Sequence, residues 1–495
     1  MNGSVPGTTL YADRVVLGGD REPLRVAPAL LRVSGNRFVE VRECARSELP
    51  SVEGTSACID LGDRVIAPAF INAHTHLAMA AFRGLGAESL FGGNVVEDLF
   101  FRLERGLDSA DIRAFARLGA YENLLSGVGM VWDHYYGGTA TAEALRDTGL
   151  AGVVAPTLQD LGGPGHEDWE SQLDATARLA QDGAFSAAGV FAAVGPHATD
   201  TVSQVLWQRS CELARRHGLP IHAHVAQSFE EYERSWKQNQ RSPIAELGRT
   251  GVLAEAPRLL LVHALFVSDR DLTELDPQKH VLGFCPSSQQ RFGFPADLPR
   301  WQRAGIPWVL GTDCAPCNDS MNVQKELRLA AGMQSLRITH SHAYGAFRTN
   351  GTLEDAARVD ARRRELAAAS EATESALELL ASVWSVPGSL HPGVRCGALR
   401  SGNLANLVVY DPGHPAFWPA TDPLRTLAYC DTSGAIEWML VAGRPIGERG
   451  RFHESIVASD SYRAALEEAT GRLQALLERI GATKSWRTGG SPIRH

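Results

Sequence analysis

A (β/α)8 TIM barrel carrying a discontinuous β-sandwich built from both chain ends is the fold class this sequence predicts. Three observations lead there. Eight apolar, strand-like runs alternate with amphipathic helical stretches across residues 65–390. Such near-continuous apolar runs are what parallel strands buried on both faces require, and their alternation with helices marks βαβ units. The flanking stretches, 1–64 and 391–455, have another texture of short β-rich runs and turn residues, each too thin to bury a core alone. Finally, His and Asp recur where the apolar runs end, and a barrel gathers its chemistry at the carboxyl ends of its strands. A chain of 495 residues is also too long for one ordinary core.

Taken in order, residues 8–17, 29–33, 38–41 and 58–61 read as strands, broken at Gly18-Gly19 and Ser34-Gly35-Asn36. Residues 406–410 and 438–443 continue the pattern, so 1–64 plus 391–455 are assigned to the sandwich and 65–390 to the barrel. The barrel strands are expected at 65–74, 127–133, 152–158, 189–194, 220–226, 258–264, 280–285 and 307–311. Helices at 111–125, 169–181, 203–217 and 323–336 separate most of them. A doubly wound open sheet is the alternative, but no glycine-rich phosphate loop follows any strand. Residues 456–495 hold a C-terminal helix and tail. Tyr462, Leu466, Ala469, Leu473, Leu476, Leu477 and Ile480 recur there at three- and four-residue steps, a stripe expected to cover the barrel or a second subunit.

Hydrophobic content of 44% and charged content of 21% are those of a soluble globular protein. The net charge of −9 comes without a basic stripe, which argues against nucleic acid or an anionic membrane as partner. The first residues lack a charged segment followed by an apolar one, and no apolar run is long enough to span a bilayer. Eight Cys without framework spacing suit a reducing cytoplasm, and Cys314-x-x-Cys317 reads as packing rather than a metal or redox site. The expected partner is a small-molecule substrate, with homo-oligomer formation open.

The first barrel strand ends in His74-Thr-His76. Side chains alternate along a strand, so these imidazoles share a face and can close on one metal ion. With 16 His in the chain, roughly half an H-x-H triplet is expected by chance, so the motif needs partners. Other strands supply them: Ile221-His-Ala-His224, Leu261-Val-His263, Leu310-Gly-Thr-Asp313, Gly195-Pro-His197 and Asp133-His134. One His at a strand end is commonly a structural residue, and an Asp after Gly-Thr a turn or cap. Four strands presenting such groups at one face point to a metal.

These motifs resemble the amidohydrolase superfamily, in the branch of adenosylhomocysteine and guanine deaminases and triazine hydrolases. Ala67-Pro-Ala-Phe-Ile-Asn-Ala-His-Thr-His76 is similar to that branch's P-G-F-V-N-x-H-x-H, and Ser126-Gly-Val-Gly-Met-Val to its S-G-x-T-T-x. Gly195-Pro-His-Ala198 resembles G-P-H-A, and Gly311-Thr-Asp313 the strand-8 G-T-D. Asn403-Leu-Ala-Asn-Leu-Val-Val-Tyr-Asp411 resembles a sandwich strand, with Asn406 in an acidic position. The likeness covers roughly residues 8–450. It implies a mononuclear centre in which His74, His76, His224 and Asp313 hold one divalent metal ion, zinc or alternatively iron. It further implies that Asp313 moves the proton and that His263 polarises the substrate or steadies the activated water. His197, Gln227 and His134 are the implied substrate contacts, and His222 is read as structural. The activity implied is attack of metal-activated water on a C–N bond, foremost deamination of an amidine-like carbon in a small heterocycle.

Two positions depart from the pattern. Deaminases of this branch carry a Glu three residues after the strand-5 ligand, and here Gln227 stands there. A carboxamide donates a hydrogen bond but delivers no proton at neutral pH. The strand-7 signature H-C-P-x-S-N reads Phe284-Cys-Pro-Ser-Ser-Gln289. Glu230 and Glu231 are expected to be solvated rather than to replace the missing acid. The alternatives are an amide or carbon–halogen hydrolase of the same fold, and a barrel retained for binding after loss of catalysis.

Overall fold

A computed structural model describes residues 7–19, 22–49, 58–84, 96–292, 296–333 and 335–480. Eight parallel strand positions follow one another along the chain. They are Phe70–Thr75, Val128–Tyr135, Ala151–Leu158, the short pair Val190–Ala192 and Gly195–Pro196, then Ile221–Val225, Leu259–His263, His280–Phe284 and Trp308–Leu310. Apart from Phe191 every residue in them is buried, which is why they read as unbroken apolar runs. The first four positions make one parallel sheet and the last four another. Parallel bridges pair Val194 with Ile221 and Thr75 with Asp313, so each position has a neighbour on both sides.

The expected first strand, 65–74, is two strands. Val65–Pro68 pairs antiparallel with Leu407–Tyr410 and parallel with Thr8–Gly19, and so belongs to the sheet of the chain ends. Pro68 has no N–H with which to extend a ladder, and after Ala69 the chain enters Phe70–Thr75. The boundary drawn at residue 65 therefore moves to about this proline.

The sheet of the chain ends has eight strands, running Arg444–Ile446, Ile436–Val441, Leu407–Tyr410, Val65–Pro68, Thr8–Gly19, Glu22–Ser34 and Arg37–Glu43, with Cys58–Asp60 beside Thr8–Gly19. Alternation along these strands makes two cores. Val65, Ala67, Val408, Tyr410, Met439 and Val441 join the core of the parallel sheets. Ile66, Leu407, Val409, Trp438 and Leu440 face the other way, onto Leu10, Leu31 and Phe38. Asn406 ties the two bodies, donating to the Gly129 oxygen at 3.0 Å and accepting from the Ala442 N–H at 2.7 Å.

Helices begin and end where capping chemistry dictates. Ser203 accepts from the Leu206 N–H to open Gln204–His217, and Gly218, at φ 64°, closes it. Asp108 opens Ser109–Leu125. The helix expected over 323–336 stops at Met333, and a tighter turn, Ser335–His340, follows. The terminal helix Asp460–Arg479 buries Ala465, Ala469 and Leu476 in the main core. It lies on Ser109–Leu125: Tyr462 meets Tyr121 edge-on, Arg117 pairs with Glu468, and Arg472 and Arg479 both reach the buried Asp111. Of the expected stripe, Ala469 and Leu476 are buried in that core and Tyr462 packs on Tyr121, whereas Leu466 is exposed. The tail after residue 480 lies outside the described residues, as does part of the segment after His76. Among the described residues no helix is long and apolar enough to cross a membrane.

Candidate active site

Strand ends deliver the expected groups to one place. One ring nitrogen from each of His74, His76 and His224 lies within 4.8 Å of the others, and the same holds for the ligand atoms of His74, His263 and Asp313. Asp313 Oδ1 is 3.3 Å from His76 Nε2 and 3.7 Å from His74 Nε2. The backbone is strained here. Ala226, His263, Ala264 and Asp313 hold φ values of 50°, 76°, 46° and 60°, a region that costs non-glycine residues about 1–3 kcal/mol and persists where the surrounding structure enforces it.

Hydrogen bonds aim the rings. His76 Nδ1 donates to the His134 backbone oxygen, and His224 Nδ1 donates to the His197 oxygen at 3.1 Å. A carbonyl only accepts, so in each neutral ring the proton sits on Nδ1 and the Nε2 lone pair is left for the centre. His74 Nδ1 meets His222 Nε2 at 2.8 Å, which makes His222 the support of a centre residue. His74 Nε2 is buried with no hydrogen-bond partner. Burial pushes His74 down to about 3 and His224 well below its ordinary value, so both present unprotonated nitrogen. Burial would lower His76 too, but Asp313 beside it holds it above the ordinary value. Asp313 is itself kept well below the carboxylate range, against its burial, by His74 and His76. Its oxygens also accept from the Cys314 N–H at 2.8 Å and the Ser288 hydroxyl at 2.6 Å. An orphaned imidazole nitrogen, two neighbouring rings and a low-pKa carboxylate form a donor set that fits a divalent ion.

A cavity of about 290 Å³ opens over this cluster. His134, His197 and Gln227 line it, and so does Glu230. His134 and His197 are steadied through Nδ1 by Thr157 at 3.0 Å and Thr201 at 2.7 Å. Phe100, Phe101, Phe229 and Phe266 give the cavity an apolar wall. Phe284, by contrast, belongs to the core, edge-on to Trp301.

Several expectations need correction. Glu231 is fully buried rather than solvated, accepting from the Gln227 N–H at 2.8 Å and from the Thr199 hydroxyl, and burial pushes it up to about 7. It supports the backbone of Gln227. Cys314 and Cys317 are buried with Sγ atoms 2.8 Å apart, and they also line the cavity beside Asp313. Sequence reasoning missed Glu104, a buried cavity residue that burial pushes up to about 7. It missed Ser288, and it took Gln289 only as a loss, although Gln289 Nε2 lies 2.6 Å from His263 Nδ1. Asn72 was passed over inside the motif. It accepts from the Thr312 N–H at 3.0 Å and donates to the Thr312 hydroxyl at 2.8 Å, joining first and last strands. Its position two residues before His74 was a usable signal; Glu104 had none.

Fold and site together define a metal-dependent hydrolase. The chain belongs to the amidohydrolase family, whose pattern, described as Amidohydrolase family, matches residues 65–359. It is 28% identical over 420 residues to the 5'-deoxyadenosine deaminase of Methanothrix thermoacetophila, spanning 84% of this chain and 89% of that protein. Among solved structures, an adenosine deaminase from Xanthomonas campestris with bound zinc matches at a TM-score of 0.75 and 20% identity, over 96% of this chain and 99% of that one. The atrazine chlorohydrolase of Arthrobacter aurescens, complexed with zinc, matches at 0.73 and 20%, over 95% and 100%. The structural likenesses establish an α/β fold of the TIM-barrel type, and the family makes the protein a hydrolase of C–N bonds.

Proposed function

We propose that the protein hydrolyses a C–N bond at an amidine-like carbon of a small heterocycle and releases ammonia. The observation that carries this reading is the convergence of His74, His76, His224 and Asp313, drawn from three distant parts of the chain. These four would hold one divalent ion, zinc rather than iron, and such an ion would supply a water that ionises near neutral pH. Asp313, already ionised, takes the proton of the attacking water and passes it to the departing amine. His263 polarises the substrate, while His134, His197 and Gln227 contact it from the wall of the cavity. The relatives' names make adenosine-type nucleosides the first substrates to try. In this reading the eight parallel strands close as a (β/α)8 barrel and the chain ends, with residues 65–68, form the sandwich. The cysteines, all free, suit a reducing cytoplasm.

Gln227 favours a second reading, hydrolysis of an amide or carbon–halogen bond, in which protonation of a ring nitrogen matters less. The test is metal content together with ammonia release on a panel of aminopurine nucleosides, aminated heterocycles and halogenated triazines. One zinc per chain with ammonia release is expected, and chelation should abolish turnover. Turnover without ammonia selects the second reading, and a metal-free chain without turnover removes both. Gln227→Glu should raise activity on aminated purines. An unchanged substrate profile counts against the account of the missing acid.

A further inference from the structure

Gln289, 1% exposed, lies on the helix Pro286–Phe292 that follows the strand His280–Phe284. Both ends of its amide are engaged. The Cys285 N–H donates to Oε1 at 2.9 Å, and Nε2 lies 2.6 Å from His263 Nδ1. This fixes which way the amide points, since a flipped amide would set an NH2 group against a backbone N–H. Nε2 is therefore the donor and His263 Nδ1 the acceptor. A neutral imidazole that accepts at Nδ1 carries its proton on Nε2. An Nδ1 that accepts carries no proton of its own, so the ring is neutral.

His224 and His263 are stacked, with ring centroids 5.4 Å apart and planes 11° from parallel, and both sit among atoms that could hold a metal. Position alone does not separate them. Their partners do: His224 Nδ1 donates to a carbonyl, which frees its Nε2 lone pair, whereas His263 Nδ1 accepts. We propose that Gln289 is a positioning residue that locks His263 in its Nε2–H tautomer, making it a hydrogen-bond donor to the reacting centre rather than a ligand or a base. The residue read in the sequence as a broken signature thereby assigns the division of labour between two stacked histidines. The inference rests on the proposed reading only in placing His263 at the reacting centre.

The test is 15N-histidine NMR of the zinc-loaded enzyme, with the His263 signals assigned by a His263→Asn variant, beside steady-state kinetics of Gln289→Glu. In the wild type His263 should show a protonated Nε2 and a bare Nδ1. In Gln289→Glu one carboxylate oxygen still accepts from Cys285 while the other accepts from His263 Nδ1, so the tautomer reverses. Turnover should then fall about 10²–10³-fold with little change in KM, the size expected for loss of one hydrogen-bond donor to the reacting centre. A proton on Nδ1 in the wild type overturns the proposal whatever the activity. A reversed tautomer with undiminished turnover overturns it too. His263→Asn then tells the failures apart: if that variant is equally active the placement of His263 was at fault, and if it is inactive the role of Gln289 was.

Discussion

Asp313 shows how much one side chain is asked to do. Its backbone sits at φ 60°, its carboxylate accepts from Cys314 and Ser288, and His74 and His76 keep it ionised in a buried place. Asn at this position keeps the shape and removes the base. Asp313→Asn should lower turnover about 10²–10⁴-fold while the melting temperature stays close to wild type; turnover near wild type would end its role as proton carrier. Glu104 is a second buried carboxyl, and its prediction concerns stability. An unfolded Glu ionises near about pH 4.3, whereas this one, buried beside Tyr135 and His76, holds its proton to about 7. Between those values the folded state keeps a proton that the unfolded state has lost, so stability declines as pH rises through the window. Glu104→Gln should therefore flatten the fall of melting temperature from pH 4.5 to 7, by about what one titrating group contributes, and exceed wild type above it. Parallel melting profiles would contradict the buried-acid account. Such partners escape a reading of the chain alone: His74 and Asp313 announce themselves in motifs, but the neighbours of Glu104 and Gln289 come from other elements.

At the scale of elements, the closing of strand Trp308–Leu310 against strand Phe70–Thr75 decides whether a site exists. Gly311 packs directly on the backbone of His74, since a Cβ there would meet the His74 N and O at 2.6 Å. The same junction carries the Asn72–Thr312 hydrogen bonds and the Asp313 N–H donated to the His74 oxygen at 3.0 Å. Gly311→Ala should cost about 1–3 kcal/mol, as overpacking does, and reduce bound metal more than it reduces helical content. Zinc analysis and circular dichroism check this, and a variant with full metal content would show that the junction tolerates displacement. Element existence was legible from apolar runs, and caps such as Ser203 and Gly218 set ends that sequence chemistry anticipates. The split at Pro68 was not legible, because Val65–Pro68 and Phe70–Thr75 are both fully buried runs and the strands each pairs with come from distant parts of the chain.

For the molecule as a whole, the sheet of the chain ends and the terminal helix both pack on the core of the parallel sheets. The terminal helix is anchored by charged contacts to Asp111 and by Leu476, fully buried against the main core. Leu476→Ala should lower stability by about 2–5 kcal/mol and leave kcat of the folded enzyme unchanged, because it lies on the helical layer rather than at the strand ends. Thermal melting with turnover measured well below the transition checks both halves, and a large loss of kcat would mean that this helix shapes the site.

By itself the sequence determined the alternation of strands and helices, the pairing of the chain ends in one β layer, and the candidate metal donors. Burial and side-chain periodicity are written locally, and strand-end motifs carry their chemistry with them. Tertiary structure alone decided which strand takes Val65–Pro68, that Glu231 is buried, that Glu104 enters the cavity, and that Gln289 faces His263. These depend on distances between residues far apart in the chain, and proton positions and pKa values follow from such neighbours rather than from residue type.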